Sequence, residues 1–427
     1  MNLLEEELQA EAEESTGAAA RSPAALTAFR RGASGVLVPI VTTVLAFIAA
    51  GVVVLATGHN PLSTYQSIFN GTGLNWLFPW VSGAERATAA GNLQQTLLQA
   101  TSLILVGLAV AFAFRAGMFN IGGQGQYTVG VIVAVWIGSS FAGMPPVLHI
   151  VFAIVAAALA GAAWAGIAGV LKAATGANEV ISTIMLNWIA IWFGVYCFQL
   201  GGPLQNPHTA TTPVSSNVVA GAKLPVFWGS STLQGLDIGI FISLALAVVF
   251  SLLINRTRLG YEARTVGFNP DAARYAGINV GRTWIRVMLI CGAFAGVAAA
   301  LDILGWKFNV FTNDIQTSQI GFYGIAVALL GRNTAGGTVA AAILFGALLT
   351  GTSDRNIHLS VDPTLVEYLT FMIEGIIILL VSTDVITLRL LKGGRQLRVA
   401  LKRRPPEQPA ASTDAASTDG AGKGGRS

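Results

Sequence analysis

Eight apolar runs, each close to the length of about 20 residues that an α-helix needs to cross a bilayer, leave this chain few folds to choose from. They cover 36–57, 96–114, 118–141, 147–173, 180–200, 236–254, 285–305 and 365–382. Two shorter runs, 321–331 and 337–351, bring the expected number of membrane elements to ten. Charged residues are 11% of the chain, against roughly 25% in soluble domains, which excludes a soluble globular fold. The expectation is an all-α polytopic membrane protein, because helices satisfy their backbone hydrogen bonds internally where lipid offers none. The run at 36–57 is too long, and too far from the N-terminus, for a cleaved secretory signal and reads as a retained first helix. Cys197 and Cys291 lie inside apolar runs and read as packing residues rather than a disulfide or metal pair.

Lysine and arginine gather on the cytoplasmic side of membrane proteins and so test this arrangement. With both termini inside, 21 of the 25 fall in cytoplasmic segments, and only Arg86, Lys223, Lys307 and Arg355 fall outside. The bias retains both short runs as elements, since removing either inverts everything after it. Residues 1–35 form an acidic head, with Glu5, Glu6, Glu7, Glu11, Glu13 and Glu14. Residues 392–427 begin basic and end in low-complexity sequence carrying "ASTD" twice. Both ends are expected to be disordered, because they bury too little to fold alone. The tail's "GAGKGG" is no phosphate loop, for Lys423 is followed by Gly and Ser417 stands where the first Gly is required. The chain shows no nucleotide-hydrolysing site and no protease or hydrolase pattern.

Two stripes of small residues recur at four-residue spacing, Ala157, Gly161, Ala165 and Gly169 in one run and Gly292, Gly296 and Ala300 in another. Small faces let membrane helices approach closely, and each stripe reads as a general packing surface. The polar stretch "NIGGQGQ" at 120–126 interrupts two apolar runs and enters the membrane from the cytoplasmic Arg115. Gly122, Gly123 and Gly125 each weaken a helix by about 1 kcal/mol relative to Ala. Irregular backbone at such depth is tolerated only when buried in protein or lining a wet cavity. The expectation is a helix break that turns Asn120, Gln124 and Gln126 toward a polar, uncharged solute. The alternative, that these amides only hydrogen-bond neighbouring helices, stays open. Glu179 and Asn187 are further candidates for the path, although Glu179 also fits as an acid at a helix N-terminus. Intramembrane Glu374 reads as functional or as a paired structural acid. A Gln/Thr/Ser start, an apolar helix, an inner Arg and a Gly-rich restart occur twice, suggesting two parallel halves over about 96–200 and 285–382.

The cytoplasmic loop 255–286 carries six Arg and the pattern of a short capped helix. Asn269 suits the cap, Pro270 the first turn, Ala272, Ala273, Tyr275 and Ala276 the body, and Gly277 the end. So short a helix needs a partner, and its Ala/Tyr face suits a protein groove better than a lipid surface.

Four motifs, "FNIGGQGQ", "ANEVISTIMLNWIA" at 177–190, "GFNPDAARYAGI" at 267–278 and "GFYGIAVALLGRNTAGG" at 321–337, closely resemble the membrane permeases of bacterial ABC importers. They match the nucleoside branch of the group that also serves simple sugars and branched-chain amino acids. The likeness covers about 36–391. It implies a permease of the bacterial cytoplasmic membrane that pairs with a second related permease, an ABC ATPase and an extracytoplasmic solute-binding lipoprotein. It implies further that this chain binds no cofactor, that ATP and Mg are used by the partner ATPase, and that no nucleic acid takes part. Its coupling helix maps onto Asn269, Pro270, Asp271, Ala273, Tyr275 and Gly277. The rival readings are a permease for ribose or another simple sugar, an ATP-independent secondary transporter or channel and, with only scattered acids behind it, a membrane-embedded enzyme.

Overall fold

The computed structural model describes residues 24–56, 58–209, 211–230 and 235–353, with isolated positions between 372 and 379; side chains are described from Pro39 onward. The run at 365–382, Glu374, the first 23 residues and the 392–427 tail lie outside the described residues or are only touched by those isolated positions. Every expected run before 352 contains a helix, although 118–122 is irregular and 236–237 is a strand. Among the described residues, six helices are long and apolar enough to cross a membrane.

The first helix, α1 (Ala24–Ala56), starts upstream of the expected boundary at 36, so the second part of the head is helical rather than disordered. A short amphipathic helix, α2 (Pro61–Thr72), capped by the Asn60 side chain, follows it. Next comes the 33-residue α3 (Gly83–Arg115), the axis of the molecule. From Leu103 to Ala113 every residue of α3 is buried, so no side of that stretch faces lipid. After an irregular segment come α4 (Gly123–Ser139), α5 (Pro146–Thr175) and α6 (Glu179–Phe198).

A long outer loop leads to a two-stranded antiparallel hairpin, β1 (Val226–Trp228) with β2 (Leu236–Asp237), and then to α7 (Gly239–Arg256). On the cytoplasmic side α8 (Arg258–Phe268) and α9 (Pro270–Tyr275) form an elbow, after which α10 (Val280–Asp302) crosses back. The end of α10 widens into a π-turn over Ile303–Lys307, where Phe308 N–H bonds the Ile303 carbonyl at 3.0 Å. The outer loop is stitched to this end, with Leu224 N–H on Leu304 O at 2.8 Å and Val218 N–H on Phe308 O at 2.8 Å. Carbonyls freed where the helix unwinds are thereby satisfied inside the protein. A short α11 (Thr312–Thr317), the half-length α12 (Ile320–Leu330) and α13 (Ala335–Gly351) complete the described fold. The hairpin, α2, α8 and α11 had no counterpart in the expected elements.

The two small-residue stripes face each other. A Cβ on Gly292 would fall onto the Gly161 carbonyl, one on Gly161 onto the Gly292 carbonyl, and one on Gly296 onto the Ala157 carbonyl. The α5 and α10 backbones are therefore in direct contact, which only glycine permits at these positions. Cys197 and Cys291 are free thiols within the core.

Candidate solute path

The irregular segment 116–122 does not stay at the cytoplasmic edge. It starts at Arg115, yet at Gly123, where α4 begins, an added Cβ would meet the Val106 side chain at 3.5 Å. Val106 lies nine residues up α3 from Arg115, about 13 Å at 1.5 Å per residue. So the chain re-enters to about mid-depth as irregular backbone before α4 starts. The interruption thus ends at Gly122, and Gly123 and Gly125 lie beyond it. Gly123 and Gly125 lie in the first helical turn, and the role of Gly125 is close approach: a Cβ there would stand 3.0 Å from Asn187 Cα. Coming from the outer side, α12 begins at the same level, with Gly321 lying directly on the backbone of Gln124. The N-termini of α4 and of the half-length α12 therefore meet inside the membrane.

The first-turn N–H groups of a helix have no partner within it, and lipid supplies none. The amides of "NIGGQGQ" meet part of that demand. Asn120 Oδ1 accepts from Gly122 N at 3.0 Å, Asn187 Oδ1 from Gly125 N at 2.8 Å, and Gln124 Oε1 from Gly321 N at 3.1 Å. Asn120 and Gln126 also exchange two bonds, Nε2 of Gln126 to Oδ1 at 2.9 Å and Nδ2 of Asn120 to Oε1 at 3.2 Å. Asn187 Nδ2 donates to the Ile121 carbonyl at 2.9 Å. Asn120, Gln126 and Asn187 thus spend their bonding capacity on holding the re-entrant chain. Gln124 differs: it is 2% exposed, yet its Nε2 has no partner. A buried amide N–H left without a partner costs about 1–3 kcal/mol.

Glu179 lies apart from this layer, at the inner end of α6. It pairs with Lys172 at 2.5 Å and accepts from Phe119 N at 3.4 Å, so it anchors the start of the re-entrant segment. The structure does not bring Glu179 and Asn187 together.

The expected cytoplasmic helix is α9. The Asn269 side chain accepts from Asp271 N at 2.9 Å and Ala272 N at 3.1 Å, Pro270 occupies the first turn, and Gly277 closes the end at φ 79°. Ala273 is buried beside Val266 and Val280, and Asp271 pairs with Arg274 on the exposed side at 2.9 Å. Tyr275 is 95% exposed and Phe268, at the end of α8, 90%. On its inner side the elbow touches the re-entrant segment itself, for a Cβ on Gly117 would come within 2.9 Å of Gly267 Cα.

Sequence reasoning missed a second polar group, in the outer half of the membrane. Asp302, 3% exposed, accepts from Ser102 and Tyr127 hydroxyls, from Trp306 Nε1 at 3.0 Å and from Lys307 Nζ at 3.3 Å. The π-turn makes this possible by folding residues four and five positions on back over one carboxylate. Its sequence signal was an acid and a base five residues apart at the end of an apolar run, which resembles ordinary flanking charge.

The family model described as the permease component of the branched-chain amino acid transport system matches residues 92–382. The guanosine ABC transporter permease NupP of Bacillus subtilis is 37% identical over 351 residues, 82% of this chain and 94% of that one. The nucleoside ABC transporter permease NupB of Lactococcus lactis is 35% identical over 341 residues, 78% and 88% of the two chains. A glucose ABC transporter permease of Haloferax volcanii is 31% identical over 382 residues, 88% and 93%. No solved structure matches. With a match of this extent and the apolar helices described above, the chain belongs to this family of ABC transport permease components and is a multi-pass protein of the cytoplasmic membrane.

Proposed function

We propose that this chain is the solute-translocating subunit of an ATP-driven importer of nucleosides. The observation that carries the reading is its likeness, over most of its length, to guanosine and nucleoside permeases. The geometry is in keeping with it. Two helix N-termini meeting at mid-depth offer partial positive charge, which suits the carbonyl and ring-nitrogen acceptors of a neutral base. The unpaired Gln124 Nε2 is a donor at the same place. On this reading Gln124 touches the solute, Asn120, Gln126 and Asn187 hold the re-entrant chain that presents it, and Glu179 fixes that chain's inner end.

Tyr275 and Phe268 seat in a groove of an ABC ATPase, which binds ATP and Mg and hydrolyses the nucleotide. Closure of that partner moves the α8–α9 elbow, and the contact of Gly267 with Gly117 carries the movement into segment 116–122. A second related permease completes the pore, and a solute-binding lipoprotein delivers the nucleoside at the outer face. The test is ATP-dependent uptake of labelled adenosine, uridine and ribose by vesicles holding the chain with its ATPase, companion permease and binding protein. Nucleoside uptake that requires ATP supports the reading. A second reading, import of a simple sugar, is favoured by the glucose permease likeness; ribose or glucose uptake without nucleoside uptake establishes it instead. Uptake by this chain alone, driven by an ion gradient and indifferent to Asp271 or Tyr275 substitution, establishes a secondary transporter.

A further inference from the structure

The buried cluster around Asp302 lies on the line of the path. Ser102 is four residues beyond Val106 on α3, so the cluster is about 6 Å outward of the Gln124 layer by helical rise. Thr128, one turn on from Gln124, bonds the Gln124 carbonyl through its hydroxyl at 2.9 Å and lines a small cavity with Tyr127, Lys307, Asp314 and Ser318. The cavity's volume is about 20 Å³, room for roughly one water molecule, so the path is closed here in this conformation. One wall is α11, which carries Asp314; another is the end of the π-turn, which carries Lys307. Lys307 Nζ reaches the Tyr127 hydroxyl oxygen at 3.2 Å and stands 5.0 Å from the Trp306 ring centroid.

We propose that this cavity, opened by movement of α11, is the outer station of the solute path and binds the hydroxyls of a neutral polyol, with Lys307 and Asp314 as direct contacts. Asp302 and Tyr127 are positioning residues that hold the Lys307 ammonium over the opening. The assignment rests on the proposed nucleoside function, where the polyol is the ribose. Its chemistry follows from the lining. A sugar hydroxyl both donates and accepts, and here the Lys307 ammonium and the Ser318 hydroxyl can donate while the Asp314 carboxylate and the Thr128 oxygen, whose proton is held by the Gln124 carbonyl, can accept. Asp302, Lys307 and Asp314 together carry a net negative charge, which disfavours a phosphorylated solute. The separation of about 6 Å from the Gln124 layer lets one nucleoside span both stations, base inward and ribose outward.

The experiment is maximal uptake of uridine and of 2′,3′-dideoxyuridine by the full complex, with the binding protein saturating so that capture does not set the rate. Asp314→Asn keeps an oxygen for the Phe311 N–H bond seen at 3.1 Å and leaves the fold intact; Lys307→Gln and Lys307→Arg complete the set. Uridine uptake is expected to fall roughly tenfold in Asp314→Asn and Lys307→Gln, with dideoxyuridine uptake within about twofold of wild type and partial recovery in Lys307→Arg. Equal loss for both solutes assigns the cluster to structure alone and overturns the proposal, as does unchanged selectivity. In either case wild-type uridine uptake leaves the nucleoside function standing. Wild-type uptake of ribose without uridine overturns that function and this assignment with it.

Discussion

The α5–α10 seam and the α8–α9 elbow are both built from small residues, yet the chain closes one and leaves the other open. At the seam, Gly161 and Gly292 each face the other's carbonyl, and nothing beyond the two helices is needed to complete the contact. At the elbow, Ala273 is packed from within while Tyr275 and Phe268 stand in solvent. Both surfaces show small-residue spacing, so spacing alone does not say whether a surface is finished by its own chain. Large aromatic rings left exposed on the outer side do. The seam is complete within the chain, and on the proposed function the elbow is the surface that a second protein completes.

The hardest test of the finished side is Gly292→Leu. A leucine there must displace the Gly161 backbone, and overpacking of a core costs about 3 kcal/mol at the upper end of its usual range. Loss of monodisperse protein, or a large fall in unfolding temperature, is expected; wild-type stability would show that these backbones are not in contact. The matching test of the open side is Tyr275→Arg. An exposed substitution changes stability by no more than about 0.5 kcal/mol, so the purified chain should unfold as wild type does. Solute-stimulated ATPase activity of the complex should fall on the order of a hundredfold, the scale of losing an interface anchor. A stability loss with ATPase stimulation retained would reverse the comparison.

The amide layer lies between these extremes, finished everywhere but at one donor. Gln124→Glu keeps an oxygen for the Gly321 N–H and removes the unpaired Nε2 donor. Uptake should fall about tenfold while the ATPase remains coupled to the elbow. Asn120→Leu takes away the partner of both Gly122 N and Gln126, and should lower stability in addition. Equal effects of the two variants on stability would mean that Gln124 is structural like its neighbours.

How far these features could be read in advance follows the range of the interactions that make them. The Asn269 cap, Pro270 and Gly277 act within a few residues, and α9 formed where its sequence placed it. The two stripes were legible as packing faces, but their mating joins helices more than 120 positions apart, and nothing local announces that. The amides at 120–126 were legible as anomalous. That Asn120 pairs with Gln126, and that Asn187 accepts from Gly125, depends on a chain that re-enters to mid-depth, which no periodicity reports. Asp302 and Lys307 escaped because a π-turn, not an α-turn, brings both back toward Tyr127. The two inner breaks are joined directly: Arg115, at the break after α3, donates from Nε to the carbonyl of Asn333, in the break after α12, at 3.0 Å.

The last test concerns the outer hairpin, which is folded onto the body but keeps one charge in poor surroundings. Burial pushes the Asp237 carboxyl up from 3.8 to about 6, the Gly239 N–H bond at 2.6 Å opposes the shift, and nearby Asp302 adds to it. A carboxyl whose folded value lies above its unfolded value weakens the fold once it ionises. The penalty is fully present above about pH 6, shrinks as pH falls from 6 toward 3.8, and is gone below that. At about 1.4 kcal/mol per pKa unit the cost is about 3 kcal/mol at most. Asp237→Asn keeps an acceptor for Gly239 and abolishes the charge, so it should raise the unfolding temperature at pH 8 by a few degrees and lose that advantage near pH 4. Thermal unfolding of both proteins across this range is the measurement. An advantage that persists unchanged at pH 4 would assign the gain to packing of the hairpin, and would place β2 with the α5–α10 seam among the contacts that the chain finishes by itself.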